Sequence, residues 1–220
     1  MNPAQPIRSF YSALAEAYGP QHWWPAKTRF EVVVGAYLTQ NTSWKNVERA
    51  LRNLRCAGVL NVKGIREIDL EDLEQLLRPS GYFRQKAARL KHFVAYLDTN
   101  YQGLLRRMFA EPTAKLRAEL LNLNGVGPET ADSILLYAGD HPIFVVDAYT
   151  RRILDRHHIL PFATNHDRIR ETVEHAFNDE VPAERARHFN ELHALIVTAG
   201  KNHCNTTAKC AGCPLERFLP

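Results

Sequence analysis

The chain has no apolar run of 18 or more residues, and it carries only two methionines, three tryptophans and four cysteines in 220 residues. The first absence predicts that nothing spans a membrane. The opening "MNPAQPIRSFYSAL" lacks the basic-then-apolar pattern of an export signal, so a cytoplasmic protein with reduced thiols is expected. Neither a low-complexity tract nor an internal repeat is present, which excludes disordered and solenoid classes. There is no large excess of one charge. A net +4 permits a nucleic-acid partner without requiring one. Cations do concentrate in "RPSGYFRQKAARLK" (78–91) and "RRILDRHH" (151–158), where they form either an electrostatic footprint or ordinary solvated helix faces.

What is there reads as helix. At 45% apolar and 24% charged residues the composition is that of an ordinary soluble globular protein, in one domain or two small ones. Period-2 alternation is rare, and apolar spacing predicts helices over about 7–18, 29–38, 43–54, 69–77, 83–97, 114–122, 129–139, 147–155, 165–177 and 183–200. "IFVVDAY" (143–149) is β-branched but isolated, and it reads as an extended connector entering a helix near Asp147. The fold class is all-α.

The stretch "LNGVGPETADSILLY" (123–137) places Gly125 and Gly127 between two helical segments, with Pro128 suited to the first turn of the second. Glycine there can adopt positive φ or admit a close neighbour, and N–H groups exposed at such a turn can hold a phosphate without reading sequence. A plain αα-corner would need the same residues. Downstream, "VVDAYTRR" puts Asp147 beside a helix start, where an N-cap role is the plainest reading.

Taken together these segments resemble the helix-hairpin-helix DNA glycosylase superfamily that includes endonuclease III. Its L-x-G-V-G-x-x-T-A hairpin is matched by Leu123, Gly125, Val126, Gly127, Thr130 and Ala131, and its V-D-x-x-x-x-R segment by Val146, Asp147 and Arg152. "LTQNTSWKNVERAL" (38–51) is similar to the family's Gln-x-Thr segment through Gln40 and Thr42, with Asn41 between them, and "SGYFRQKAARL" (80–90) to its wedge loop. The resemblance implies two helical lobes with a DNA-binding cleft between them. Residues 28–138 would form a helical barrel ending in the hairpin, and 1–27 would pack with 139–220. It also implies that double-stranded DNA is the partner, that Asn41, Gly125, Val126, Gly127, Thr130 and Arg152 contact it, that Gln40 fills the stack vacated by a flipped base, and that Tyr82 wedges the opposite strand. Such enzymes commonly act as monomers.

Glu129 departs from the family's bifunctional members, which carry a lysine at that place to form a Schiff base with the sugar. A carboxylate cannot do this, so strand scission is expected to be absent and base removal to use water. An acid in the first helical turn also suits the macrodipole, and the two readings are compatible. Asp147 is then the expected catalytic carboxylate, stabilising positive charge on the deoxyribose and orienting the water.

Trp23 and Trp24 precede Pro25, Trp44 follows the Gln-x-Thr segment, and Lys201 ends the last long helix; together they are the candidate base pocket. An indole face suits a cationic or electron-poor base such as N3-alkylated adenine. The "WWP", "LTQNT" and "VVDAY" strings resemble the bacterial 3-methyladenine glycosylase branch. The adenine-mismatch branch has an acid before Gln-x-Thr, and "VVGAYLTQNT" has none. A uracil or thymine mismatch glycosylase, an oxidised-pyrimidine glycosylase and a non-catalytic DNA-binding module stay open as alternatives.

Cys204, Cys210 and Cys213 form C-x5-C-x2-C. Endonuclease III-like proteins hold a [4Fe–4S] cluster on four cysteines at a similar place. The fourth position falls near Leu219, and Cys56 is remote in sequence. A cluster with a non-cysteine ligand, a zinc site using His203 and a degraded site without metal are all open, and any cluster is expected to be structural.

Overall fold

The computed structural model describes residues 4–21, 23, 24 and 26–220. Twelve α-helices occur among them: α1 Ala4–Tyr18, α2 Arg29–Leu38, α3 Trp44–Cys56, α4 Val62–Glu67, α5 Leu70–Leu77, α6 Phe83–Tyr101, α7 Leu105–Met108, α8 Thr113–Leu121, α9 Pro128–Ser133, α10 Ala148–Arg156, α11 His166–His175 and α12 Pro182–Asn202. No strand occurs among the described residues; one isolated bridge pairs Cys204 with Ala208. No helix is long and apolar enough to cross a membrane. Two short helices, α4 and α7, lie where periodicity predicts none. The expected 129–139 helix widens after Ser133 into a π-helical turn over Ile134–Ala138. Residues 143–147 are extended, as the isolated β-branched run implied.

The chain divides into two compact units, Ala26–Gly139 and Met1–Pro25 with Asp140–Pro220. In the first, α2 is the central element, buried from Phe30 to Leu38 because nearly every residue of "FEVVVGAYL" is apolar. It packs against α3, α6, α9 and the π-helical turn. Its neighbours are amphipathic: Val47, Ala50, Leu51 and Leu54 on α3, and Ala87, Leu90, Phe93, Val94 and Leu97 on α6, supply the facing stripes. The acid within α2 is a capping device. Glu31 N–H donates to Thr28 Oγ1, its carboxylate accepts from Lys27 N–H and pairs with Arg55.

In the second unit α1 packs on α11 and α12, and α10 on α12. Phe10 lies against His157 and Phe218, and Phe144, Phe177 and Phe189 form an edge-to-face aromatic chain. The extended connector is anchored where Phe144 N–H donates to Glu174, 2.9 Å away, whose carboxylate also pairs with Arg170.

Candidate active site

The hairpin of the 26–139 unit is built on Gly125, Val126 and a buried ion pair. Gly125 has φ +77°, a left-handed value, and a Cβ there would overlap the Arg89 guanidinium. Val126 is buried and roots the turn, while Gly125 and Gly127 are exposed on either side. Gly127 differs. Its φ of −93° suits any residue, and a Cβ would meet nothing within 4 Å. Beneath the turn, Arg117 of α8 donates to the fully buried Asp132 of α9 at 2.6 and 3.3 Å, joining the two helices. Glu129 is exposed in the first turn of α9.

Gln40 is bound to this hairpin. Its Nε2 donates to Gly125 O at 2.9 Å and Thr130 Oγ1 at 3.0 Å, and its Oε1 accepts from Arg89 at 2.8 Å. The expectation that Gln40 fills a vacated stack therefore meets a side chain whose polar atoms are already engaged. Thr130 is buried, with its hydroxyl turned to Gln40 rather than offered to DNA. Asn41, next in the chain, is exposed with φ +53°. Tyr82, at the tip of the wedge loop, is 65% exposed with φ +45°.

Lys86 ties these loops together. Only 1% exposed, it donates to Leu38 O at 3.0 Å and Ser80 O at 2.7 Å. Burial, assisted by the Arg89 charge, brings its amine down to about 8. The cations of 78–91 are thus largely consumed inside the fold: Lys86 as described, Arg89 on Gln40, and Lys91 on the carbonyls of Arg66 and Ile68. Those of 151–158 behave alike, Arg151 donating to the carbonyls of Phe162 and Thr164.

In the other unit, Asp147 is the N-cap of α10, its Oδ1 accepting from Thr150 N–H at 2.7 Å. Its Oδ2 faces His193 Nε2 of α12 at 3.7 Å. Burial, the largest influence, pushes the Asp147 carboxyl up, but His193 and the Thr150 N–H outweigh it and hold the group below the usual carboxylate range. The capping and charge-bearing roles coexist in one residue. His193 was not foreseen, because nothing local in the sequence marks a buried histidine as the partner of a distant aspartate.

Trp23 and Lys201 are brought together, Lys201 Nζ lying 5.4 Å from the centre of the Trp23 ring. Gln21 fixes the approach, donating its N–H to Glu191 and accepting from Thr198 Oγ1, both on α12. Pro25 lies outside the described residues. Trp44 belongs to the other unit, where its Nε1 donates to Glu48 at 2.8 Å. Gly200 lets α12 meet α10, since a Cβ would overlap the Tyr149 ring.

Arg152 is turned to the cysteine loop rather than outward: its Nε donates to Cys204 O at 3.0 Å and its guanidinium covers Tyr149. Arg156 reaches Cys204 Sγ at 3.0 Å and the carbonyls of Asn205 and Thr206 at 2.9 and 2.8 Å. Cys204, Cys210, Cys213, His203 and Leu219 line one small hollow. Burial, then the neighbouring Cys204, Cys210 and Glu216, push the Cys213 thiol up. A four-cysteine cluster does not fit this donor set, because only three cysteines line the hollow and Cys56 belongs to the other unit. Among the described residues no three His, Cys, Asp or Glu side chains are grouped to hold a metal ion.

A hairpin with open space beside Gly127 and a largely buried, ionised carboxylate at a helix start suit a protein that works on nucleic acid. The family comparison decides it: the model of the HhH-GPD superfamily base excision DNA repair proteins matches residues 34–179. The chain belongs to this superfamily. It is thus a base-excision DNA glycosylase by family, of endonuclease III-like fold. A Methanocaldococcus jannaschii protein whose name places it among the DNA repair glycosylases is 45% identical over 99% of this chain and 97% of its own. Bacillus subtilis endonuclease III is 27% identical over 84% of this chain and 78% of its own. Among solved structures, the Helicobacter pylori 3-methyladenine DNA glycosylase bound to 1,N6-ethenoadenine superposes with a TM-score of 0.78, at 28% identity, over 91% of this chain and 98% of that one. Within this superfamily, the glycosylase chain departs from the four-cysteine pattern at Leu219 and carries Glu129 at the hairpin.

Proposed function

We propose that the protein is a monofunctional glycosylase that removes alkylated purines of the 3-methyladenine type from double-stranded DNA. The observation that carries this reading is Glu129: the hairpin offers a carboxylate where Schiff-base chemistry needs an amine. The likeness to a 3-methyladenine glycosylase along nearly its whole length supports the substrate class.

The flipped nucleotide loses its base by heterolysis of the N-glycosidic bond, the leaving base taking the electron pair. An N3-alkylated adenine leaves as a neutral molecule, so no strong acid is required at the base. Asp147, held ionised, stabilises the cationic sugar and orients the water that adds to it; the proton of that water passes to the carboxylate or to solvent. The Gly127 opening and the N–H groups of the hairpin receive a phosphate. Trp23, Trp24 and Lys201, all of one unit, line the base pocket. Any cluster in this chain rests on Cys204, Cys210 and Cys213 with a fourth ligand other than cysteine, and no step of the reaction passes through it.

A second reading follows from Lys201. A cation already over the Trp23 face disfavours a second one, which favours a neutral adduct such as 1,N6-ethenoadenine over a cationic base.

The test is single-turnover excision on duplexes holding 3-methyladenine, 1,N6-ethenoadenine, uracil, a thymine mismatch or an oxidised pyrimidine, each with and without alkali. Alkali-dependent breaks at an alkylated purine, lost in Asp147→Asn, are expected. Breaks without alkali would overturn the monofunctional assignment. Turnover confined to pyrimidine substrates would overturn the substrate class, and tight binding with silence on all of them would leave a DNA-binding module.

A further inference from the structure

The cations of 78–91 and 151–158 are largely consumed inside the fold, but those of α3 are not. Lys45, Arg49 and Arg52 are exposed, and their side chains have no hydrogen bond or ion pair among the described residues. The helix carries one further cation, Arg55, which pairs with Glu31. Its one acid, Glu48, accepts from Trp44 Nε1.

The spacing turns the three free cations into a stripe. At about 100° per residue they fall within about 60° of one another, opposite the face of Val47, Ala50, Leu51 and Leu54 that enters the core. From Lys45 to Arg52 the helix rises about 10 Å, the axial length of about three nucleotide steps on one strand of a duplex. Like charges four residues apart, as in Lys45 and Arg49, weaken a helix slightly, so the fold gains nothing from this arrangement.

The stripe starts close to the loops of the site. Lys45 follows the Gln40–Thr42 turn in sequence, and the turn Arg78–Ser80, which leads to Tyr82, packs on α3. Asn53 Nδ2 of α3 fixes that approach by donating to Leu76 O at 3.0 Å. Arg78 is exposed as well, and its side chain has no partner among the described residues. No aromatic side chain interrupts the stripe, so it offers charge to a backbone and no stacking platform to unpaired bases.

We propose that Lys45, Arg49 and Arg52, with Arg78 beside them, bind the phosphates of the duplex that flanks the flipped nucleotide on one side. This surface is separate from the hairpin and extends the footprint along one strand. The inference rests on the glycosylase reading, and its loss is separable from recognition of the lesion.

The test is binding as a function of salt to a long duplex with a central tetrahydrofuran abasic analogue, which holds no base and is independent of lesion preference. The triple variant Lys45→Gln, Arg49→Gln, Arg52→Gln should keep the wild-type melting temperature, because all three side chains are exposed. Its plot of log affinity against log salt should be shallower by about 2–3, and it should bind at least about tenfold more weakly at physiological salt. Arg49→Gln alone should lower the slope by about 1. Arg106→Gln, an exposed position on α7 beyond the opposite end of α6 from Tyr82, should leave it unchanged. Shortening the duplex on one side of the analogue, and on that side only, should abolish the difference between wild type and the triple variant. An unchanged slope in the triple variant, an equal fall in Arg106→Gln, or a difference that survives shortening on either side overturns the proposal. A wild-type protein with no salt dependence and no preference for the abasic duplex overturns the glycosylase reading itself, and the flanking contact with it.

Discussion

His193 Nε2 of α12 stands 3.7 Å from Asp147 Oδ2 at the start of α10, and both side chains are almost wholly withdrawn from solvent. The pairing resolves a conflict that burial creates. A carboxylate out of water is driven towards its neutral form, which could neither stabilise a cationic sugar nor accept a proton from water. Here the histidine and the Thr150 N–H reverse that drive.

A pH consequence follows from the direction of the shift. Because the folded Asp147 carboxyl lies below its ordinary value, it stays charged as pH falls through about 4, so single-turnover excision should show no Asp147 limb above that pH. In His193→Gln the histidine's support is lost while burial persists, and the acid limb should move to higher pH. A limb that does not move would show that His193 does not sustain the carboxylate.

Lys86 predicts a second pH effect, on stability. An amine lowered to about 8 binds its proton less tightly folded than unfolded. Between about 8 and 10.5 the unfolded chain therefore holds more protons, and stability should rise with pH across that window, by up to about 3 kcal/mol. Denaturant melts of wild type and Lys86→Met should differ in this slope, with the variant flatter; parallel curves would refute it.

Local pattern and long-range partnership divide what was legible in the sequence. Apolar spacing located the helices that bury a full stripe, from α2 to α12, but not α4 and α7, whose one or two turns are too short to show a period. Turn chemistry located the hairpin and the helix start at Asp147 because glycine spacing and capping are local. The partners were not legible. Lys86 reads as one more surface cation until its two carbonyls are seen, and Gln40, Thr130 and Arg152 looked outward-facing until the fold turned each inward. Trp23 and Lys201 were grouped on chemistry alone, and nothing in their spacing specified that the cation would lie on the indole.

The Arg117–Asp132 pair should dominate the stability of the hairpin. Asp132 is fully buried, so Arg117→Ala takes two charge-assisted donors from a buried carboxylate and should cost about 3 kcal/mol. Replacing both residues by apolar ones of similar volume should cost much less, because the carboxylate is then removed with its donor. Thermal melts of the two variants test this; equal losses would mean that packing, and not charge pairing, joins α8 to α9.

The two hairpin glycines should respond oppositely to the same substitution. Gly125→Ala must adopt a left-handed backbone and displace Arg89, which in turn holds Gln40, so the melting temperature should fall by several degrees, on the order of 2 kcal/mol. Gly127→Ala meets no neighbour and keeps an ordinary φ, so its stability should change by less than about 0.5 kcal/mol. If a phosphate approaches the backbone there, that methyl group occupies its place, and DNA binding should weaken about tenfold with excision falling in step. A Gly127→Ala protein that is stable yet binds like wild type would show that the opening is not where the phosphate sits. One that unfolds would show that the glycine serves the fold after all.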